Sequence, residues 1–223
     1  MSLGIIGGLG PAAGAYYYRR LLESANAVSE KREPLLVPAD LRTVLDYANA
    51  GDLVGLARYL ATLLELLADS GCELAAISAV TPHVCIAQLT SLASMPIVNL
   101  LSAVRAAVEE CGVRKVVLFG TRVVMESALF GSLSNVEVVP PTAAEVDAIE
   151  TLYSEIAFRG GGQVEREALA AAADRIIRRE RVDAVLLAGT DLSALFESDP
   201  PDFPAIDAAD VHLAAIRKSW LAA

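Results

Sequence analysis

The sequence predicts an α/β protein built as two similar doubly wound parallel-sheet lobes, a duplicated fold with its active-site cleft between them. Two apolar runs carry the expectation. Leu74–Ile77 leads into Ser78-Ala79-Val80-Thr81-Pro82-His83, and Val185–Leu187 leads into Ala188-Gly189-Thr190-Asp191. Neither run alternates polar with apolar residues and each is flanked by helical patterning, as expected of a central parallel strand covered on both faces. The third observation is a repeated order of elements, in which corresponding strands, Ile77 with Leu186 and Ile97 with Ala205, lie about 110 residues apart, close to one domain length. Parallel neighbours need crossover connections, so this alternation winds one sheet per half. Ligands bind at the carboxyl ends of such strands. The loops at Ala79 and Gly189 should therefore face one another.

In chain order, Leu3–Gly7 is a strand that turns through Gly8 and Gly10 into a helix opened by Pro11 and carrying Tyr16, Tyr17 and Tyr18. Proline is tolerated there because its missing N–H would have had no partner. A strand follows at Leu35–Val37, then a helix from about Asp52 to Asp69 whose Leu53, Leu56, Leu60, Leu63, Leu64 and Leu67 keep helical spacing. After the Leu74 strand come a helix from Pro82, a short strand Pro96–Val98 and an amphipathic helix. The second half opens with the strand Lys115–Phe119 and a helix near Met125, followed by a strand at Val136–Val139. Thr142-Ala143-Ala144-Glu145 reads as a capping box. Two helices separated by Gly160-Gly161-Gly162, the strand Ala184–Leu187, a strand at Pro204–Ile206 and a last helix with His212 complete the chain. That last helix has no strand after it, so it is expected to pack back on the first lobe. The lobes are then residues 1–99 with 208–223, and residues 100–207.

The chain of 223 residues has a net charge of −10 and is 54% apolar. An acidic chain offers no electrostatic footprint for nucleic acid or an anionic membrane surface. The leucine-rich stretch Leu53–Leu67 is interrupted by Arg58 and Glu65, so no span of a bilayer is expected. Met1-Ser2-Leu3 enters a strand pattern without a signal-like segment, which predicts a cytoplasmic protein. Cys72, Cys85 and Cys111 have no metal-like spacing and are expected to be reduced, with Cys72 and Cys111 packing as small apolar residues. No metal is predicted.

Four segments in order resemble the aspartate/glutamate racemase superfamily over essentially the whole chain. They are Gly7-Gly8-Leu9-Gly10-Pro11 with the following tyrosine-arginine helix, Lys115–Ser127 with Gly120, Thr121, Met125 and Ser127, Leu152–Ile156 around Tyr153, and Phe203–His212 with Asp207 and His212. The resemblance implies a cofactor-independent isomerase that racemises a small amino acid between two cysteines. One thiolate removes the α-proton and the other thiol returns it from the opposite face. It also implies that those cysteines would stand where this chain has Ala79 and Gly189. Neither residue can carry a proton, so racemisation is expected to be lost or altered. Substrate contacts are expected at Gly10, Val80, Thr81, Thr121 and Thr190, with valine at position 80 replacing a polar group.

His83 and Asp191 are the candidate substitutes. A neutral imidazole in the first turn beside the cleft could be a base near neutral pH, or His83 could be a packing residue. Asp191 could act chemically or cap its own helix. Cys85 lies too far along its helix to replace a thiol at Ala79. The glycines from Gly8 to Gly14 also invite a dinucleotide reading, but their spacing departs from that fingerprint and no acidic residue ends the second strand. No cofactor is predicted. The expected partner is a small carboxylate or amino acid, with a homodimer formed through exposed residues of the Tyr16–Tyr18 helix. The rival readings are a non-catalytic ligand-binding or interaction protein on this fold, and a one-base lyase or isomerase using His83 or Asp191.

Overall fold

The computed structural model describes residues 1–27 and 33–221, so the last two residues of the 208–223 segment lie outside the described residues. In the first half, β1 (Leu3–Gly7), α1 (Pro11–Ala27), β2 (Leu35–Pro38), α2 (Leu41–Ala50), α3 (Leu53–Asp69) and β3 (Leu74–Ile77) are followed by a 3-10 turn, Thr81–Cys85. α4 (Ile86–Leu92) and α5 (Leu100–Cys111) lead to β4 (Lys115–Phe119), α6 (Arg122–Glu126), β5 (Glu137–Val139), α7 (Ala143–Arg159) and α8 (Gln163–Glu180). β6 (Ala184–Leu187), α9 (Thr190–Phe196), β7 (Ala205–Asp207) and α10 (Ala208–Leu221) close the chain.

Two parallel sheets result, one of three strands in the order β2-β1-β3 and one of four in the order β5-β4-β6-β7. The strand expected at Pro96–Val98 is reduced to one parallel bridge, Ala75 with Ile97. Its counterpart is the pairing of Val185 with Ala205 in β6 and β7. The strand ends match as well. The Ser78 N–H donates to Ile6 O at 3.0 Å, and the Ala188 N–H donates to Phe119 O at 2.7 Å. This hydrogen-bonding register aligns Ile77 with Leu187, one residue beyond the expected Leu186, and aligns Ala79 with Gly189.

β1, β3, β4 and β6 are buried nearly throughout, which explains their unalternated apolar composition. α3 buries Leu56, Leu60, Leu64 and Leu67 and leaves Val54 and Leu66 exposed. Thr142 and Glu145 form the reciprocal capping box of α7. α2 was not expected. Asp40 caps it by accepting from the Thr43 N–H at 2.7 Å, and Gly51 ends it at φ 68°, in the left-handed region open to glycine.

α10 lays Leu213, Ile216 and Trp220 into a core shared with Leu3, Ile5, Leu74 and Ala76 of the first sheet. The Trp220 Nε1–H donates to Met1 O at 3.1 Å. Leu100, Val104 and Val108 of α5 belong instead to the core around β4 and β6. Tyr16 and Tyr17 are buried within their own chain, so neither supplies the exposed aromatic surface expected for a homodimer. Cys72 and Cys85 are buried, but Cys111 is exposed at the end of α5, because the helix stops at Gly112 before turning inward.

Candidate functional site

The strand-end loops of the two sheets touch. The Thr190 hydroxyl, fully buried, donates to Ser78 O at 2.9 Å, and the Thr81 and Thr121 hydroxyls are 3.1 Å apart. The Ser78 hydroxyl turns back to Ile6 O at 3.2 Å. Ala79, Val80, Thr81 and Thr121 line a cavity of about 30 Å³ with Leu9, Tyr153 and Phe158. That is room for one or two water molecules and not for an amino acid. Gly10, Gly189, Thr190 and Asp191 do not line it. They form the packed contact beside it.

At the centre of that contact is the carboxylate of Asp191, completely buried. Its Oδ1 accepts from the Ala13 N–H at 3.1 Å and its Oδ2 from the Tyr153 hydroxyl at 3.2 Å. Asp191 therefore caps α1 of the first half, a role that neither of the two expected alternatives named. The reason is local: Gly10 precedes α1 without a side chain of its own, and the N-terminal amides of a helix favour a negative group. Gly10 sits at φ +133°, and a β-carbon there would lie 2.5 Å from Asp191 Cγ and closer still to both oxygens. Burial raises the Asp191 pKa to about 6, against the lowering effect of the Ala13 and Tyr153 hydrogen bonds. No ion pair offsets that burial among the described residues.

Position 189 is filled from α7. A β-carbon on Gly189 would collide with Tyr153 Cε2 and lie 2.8 Å from Cζ. A side chain at 189 and the Tyr153 ring thus compete for one space. Across the contact, Ala79 is buried and offers only a methyl group.

His83 is engaged on both nitrogens. The Leu100 N–H donates to Nε2 at 3.3 Å, which leaves Nδ1 to carry the proton and donate to Ala79 O at 2.9 Å. Burial lowers its pKa to about 4. Its lone pair is used inside the protein, so this imidazole does not offer a free base to the cleft. His212 is held in the opposite tautomer: Nε2–H donates to Val98 O at 2.9 Å and Nδ1 accepts from the Tyr17 hydroxyl at 3.1 Å. Burial, with His83 nearby, lowers its pKa to about 3. The thiol of Cys85 donates to Pro82 O at 3.3 Å, and burial pushes its pKa up to about 12, which keeps it from being a thiolate near neutral pH. Among the described residues no group of three or more His, Cys, Asp or Glu side chains could hold a metal ion.

Sequence reasoning missed Tyr153 and Glu150 as site residues. Both lie on α7 at the cavity, three positions apart, where helical spacing puts them on one face. That spacing beside the resemblance segment at Tyr153 was the available signal. Glu150 accepts from the Arg122 N–H at the start of α6.

A family model described as Asp/Glu/Hydantoin racemase matches residues 6–216. An aspartate racemase homologue from Pyrococcus horikoshii OT3 is 26% identical, with 98% of each chain covered and a TM-score of 0.77. Similar folds are found in a putative Asp/Glu racemase from Yersinia pestis (20% identity, 99% and 100% covered, TM-score 0.81). The aspartate racemase of Picrophilus torridus also matches, at 19% identity, 98% and 94% covered and a TM-score of 0.80.

Proposed function

Because the chain belongs to the Asp/Glu/hydantoin racemase family, we propose that it binds a small amino acid or carboxylate in the interlobe cleft without racemising it by two thiols. The observation that carries this reading is the Tyr153 ring standing in the space of a side chain at 189. A vacated site would leave a hole, whereas here the second proton carrier is absent and its volume is taken. With alanine at 79, no ionisable group stands at either paired position.

The lobes of this reading are residues 1–99 with 208–223, and 100–207. The packing of α10 on the first sheet and of α5 on the second supports that division. Ligand entry would separate α7 from the 79–81 loop, enlarging the cavity that Tyr153 and Phe158 now close. Thr81 and Thr121 then present hydroxyls to a carboxylate. Leu41, Val44, Leu45 and Phe158 supply an apolar wall, and Glu150 is the single charged residue among the described residues lining the cavity. No cation there would balance a second carboxylate, so the reading favours a ligand with an uncharged side chain over aspartate or glutamate. One-base chemistry at His83 lacks support because its lone pair is engaged, and at Asp191 because both oxygens are bonded behind Tyr153. Among the described residues no helix is long and apolar enough to cross a membrane.

The test combines turnover with binding. Each enantiomer of leucine, aspartate and glutamate is incubated with the protein in heavy water and followed by mass and chiral analysis, while thermal unfolding is measured against ligand concentration. The expected result is no α-proton exchange, with saturable stabilisation by the uncharged side chain. Fast exchange with inversion would overturn the reading.

A further inference from the structure

A second cavity, of about 320 Å³, opens where β6 and β7 end between α1, α9 and α10. It shares no lining residue with the small interlobe cavity. Its lining is acidic: one guanidinium, that of Arg20, stands among the three carboxylates of Glu197, Asp207 and Asp210. That guanidinium is committed. It lies 3.6 Å from Glu197 and 3.7 Å from Asp210, while Arg19, outside the lining, donates to Glu197 at 2.6 Å. Two arginines thus serve Glu197 and Asp210, and among the described residues no cation pairs with Asp207.

Asp207 is largely buried at the end of β7, and burial raises its pKa, with Asp210 adding to the rise. All three protein donors to it converge on Oδ1: the Ser193 hydroxyl at 2.7 Å, the Ala209 N–H at 2.8 Å and the Asp210 N–H at 3.1 Å. Each of these donors is neutral, and among the described residues none reaches Oδ2. Oδ1 is thereby committed to capping α10, and Oδ2 is left at the cavity wall. A carboxylate taken out of water without a counter-charge is costly, and a cation entering from the cavity offsets that cost. An anion is opposed by the excess of carboxylates. Phe196 and Phe203, packed edge to face with centroids 6.1 Å apart, give the same space an aromatic wall. Among the described residues no three acidic groups come together to hold a metal ion. One free oxygen beside an aromatic wall suits an organic ammonium instead.

We propose that this cavity binds a small primary amine with an aromatic body, its ammonium group donating to Asp207 Oδ2 and its ring lying on Phe196 and Phe203. Arg19 and Arg20 keep Glu197 and Asp210 paired, so the ligand meets one carboxylate without a partner. A carboxyl group beside the amine would bring a negative charge to a wall that has no unpaired donor for it, so the amine is preferred to the corresponding amino acid. A cavity of this size falls in the usual range for small-molecule sites. The site is independent of the interlobe cleft, and the two readings can fail separately.

The test is isothermal titration of the full chain with phenethylamine, L-phenylalanine and 3-phenylpropionate. Saturable binding of phenethylamine is expected, with phenylalanine at least tenfold weaker and no binding of 3-phenylpropionate. Asp207→Asn keeps an oxygen for the α10 cap but turns the free acceptor into a donor. Ala205→Lys, at an exposed position of the lining, fills the cavity with a tethered ammonium. Each should weaken phenethylamine by tenfold or more while leaving the circular dichroism spectrum unchanged. The absence of saturable phenethylamine binding, phenylalanine binding within tenfold of the amine, or undiminished binding in either folded variant would overturn the proposal. If Asp207→Asn fails to fold, Ala205→Lys with the two analogues decides the matter alone.

Discussion

The hydroxyl of Thr190 donates to the carbonyl of Ser78 at 2.9 Å, joining two strand-end loops that are 112 residues apart in sequence. Both groups are buried. Thr190→Val keeps the shape of the side chain but leaves the Ser78 carbonyl without this donor, at a cost of about 1–3 kcal/mol. Urea denaturation should show the loss as a lower midpoint with an unchanged slope.

Tyr153 and position 189 compete for one volume. Gly189→Cys alone should therefore destabilise by about 1–3 kcal/mol, the usual range for overpacking. Combined with Tyr153→Ala the cost should be less than additive, read as a favourable coupling energy in a double-mutant cycle. Strict additivity would show that the ring moves aside freely.

Asp191 gives a pH signature. Its folded pKa, raised from 3.8 to about 6 by burial, means that the folded state binds the proton more tightly than the unfolded chain does. Its contribution to stability is thus greatest below about pH 4 and declines as pH rises through 6. A shift of this size corresponds to about 3 kcal/mol. Asp191→Asn should lose this dependence, so the stability difference between natural protein and variant should move in favour of the natural protein as pH falls from 7.5 to 4.

The histidines act in the opposite direction. Burial lowers the pKa of His83 to about 4 and of His212 to about 3, from 6.5 for each. On acidification the unfolded chain takes up these protons first, so the stability contributed by the neutral rings is full above about pH 6.5 and is lost as pH falls through the folded values. Nitrogen chemical shifts of the imidazoles should remain constant from pH 8 to 5. They should also report two tautomers, with the proton on Nδ1 of His83 and on Nε2 of His212. Titration of either ring near pH 6.5 would contradict the burial described.

Much of the fold was legible because each central strand is an unbroken apolar run and each long helix keeps its spacing. The cap of α7 was legible because both partners lie within four residues. α2 was readable in principle from Asp40 and Gly51, but its interior mixes Arg42, Thr43, Asp46 and Asn49 with few buried positions, and only Val44 and Ala48 are fully covered. The site was legible only in part. The absence of ionisable groups at 79 and 189 is visible in the residues themselves, whereas the ring packed against position 189 arrives from α7. Likewise Asp191 looked like a cap for the helix it opens. Its partner, the Ala13 N–H, is 178 positions away, and nothing local to either residue announces the pairing.

The seating of the Tyr153 ring against Gly189 also constrains the order in which the two positions can change. A lineage that gained a thiol at 189 would first pass through an overpacked intermediate, while one that first shrank the tyrosine would take away a hydrogen-bond donor from the buried Asp191. Each single step is penalised before the pair is complete. A thiol at 189 is thus opposed by packing whichever of the two residues changes first.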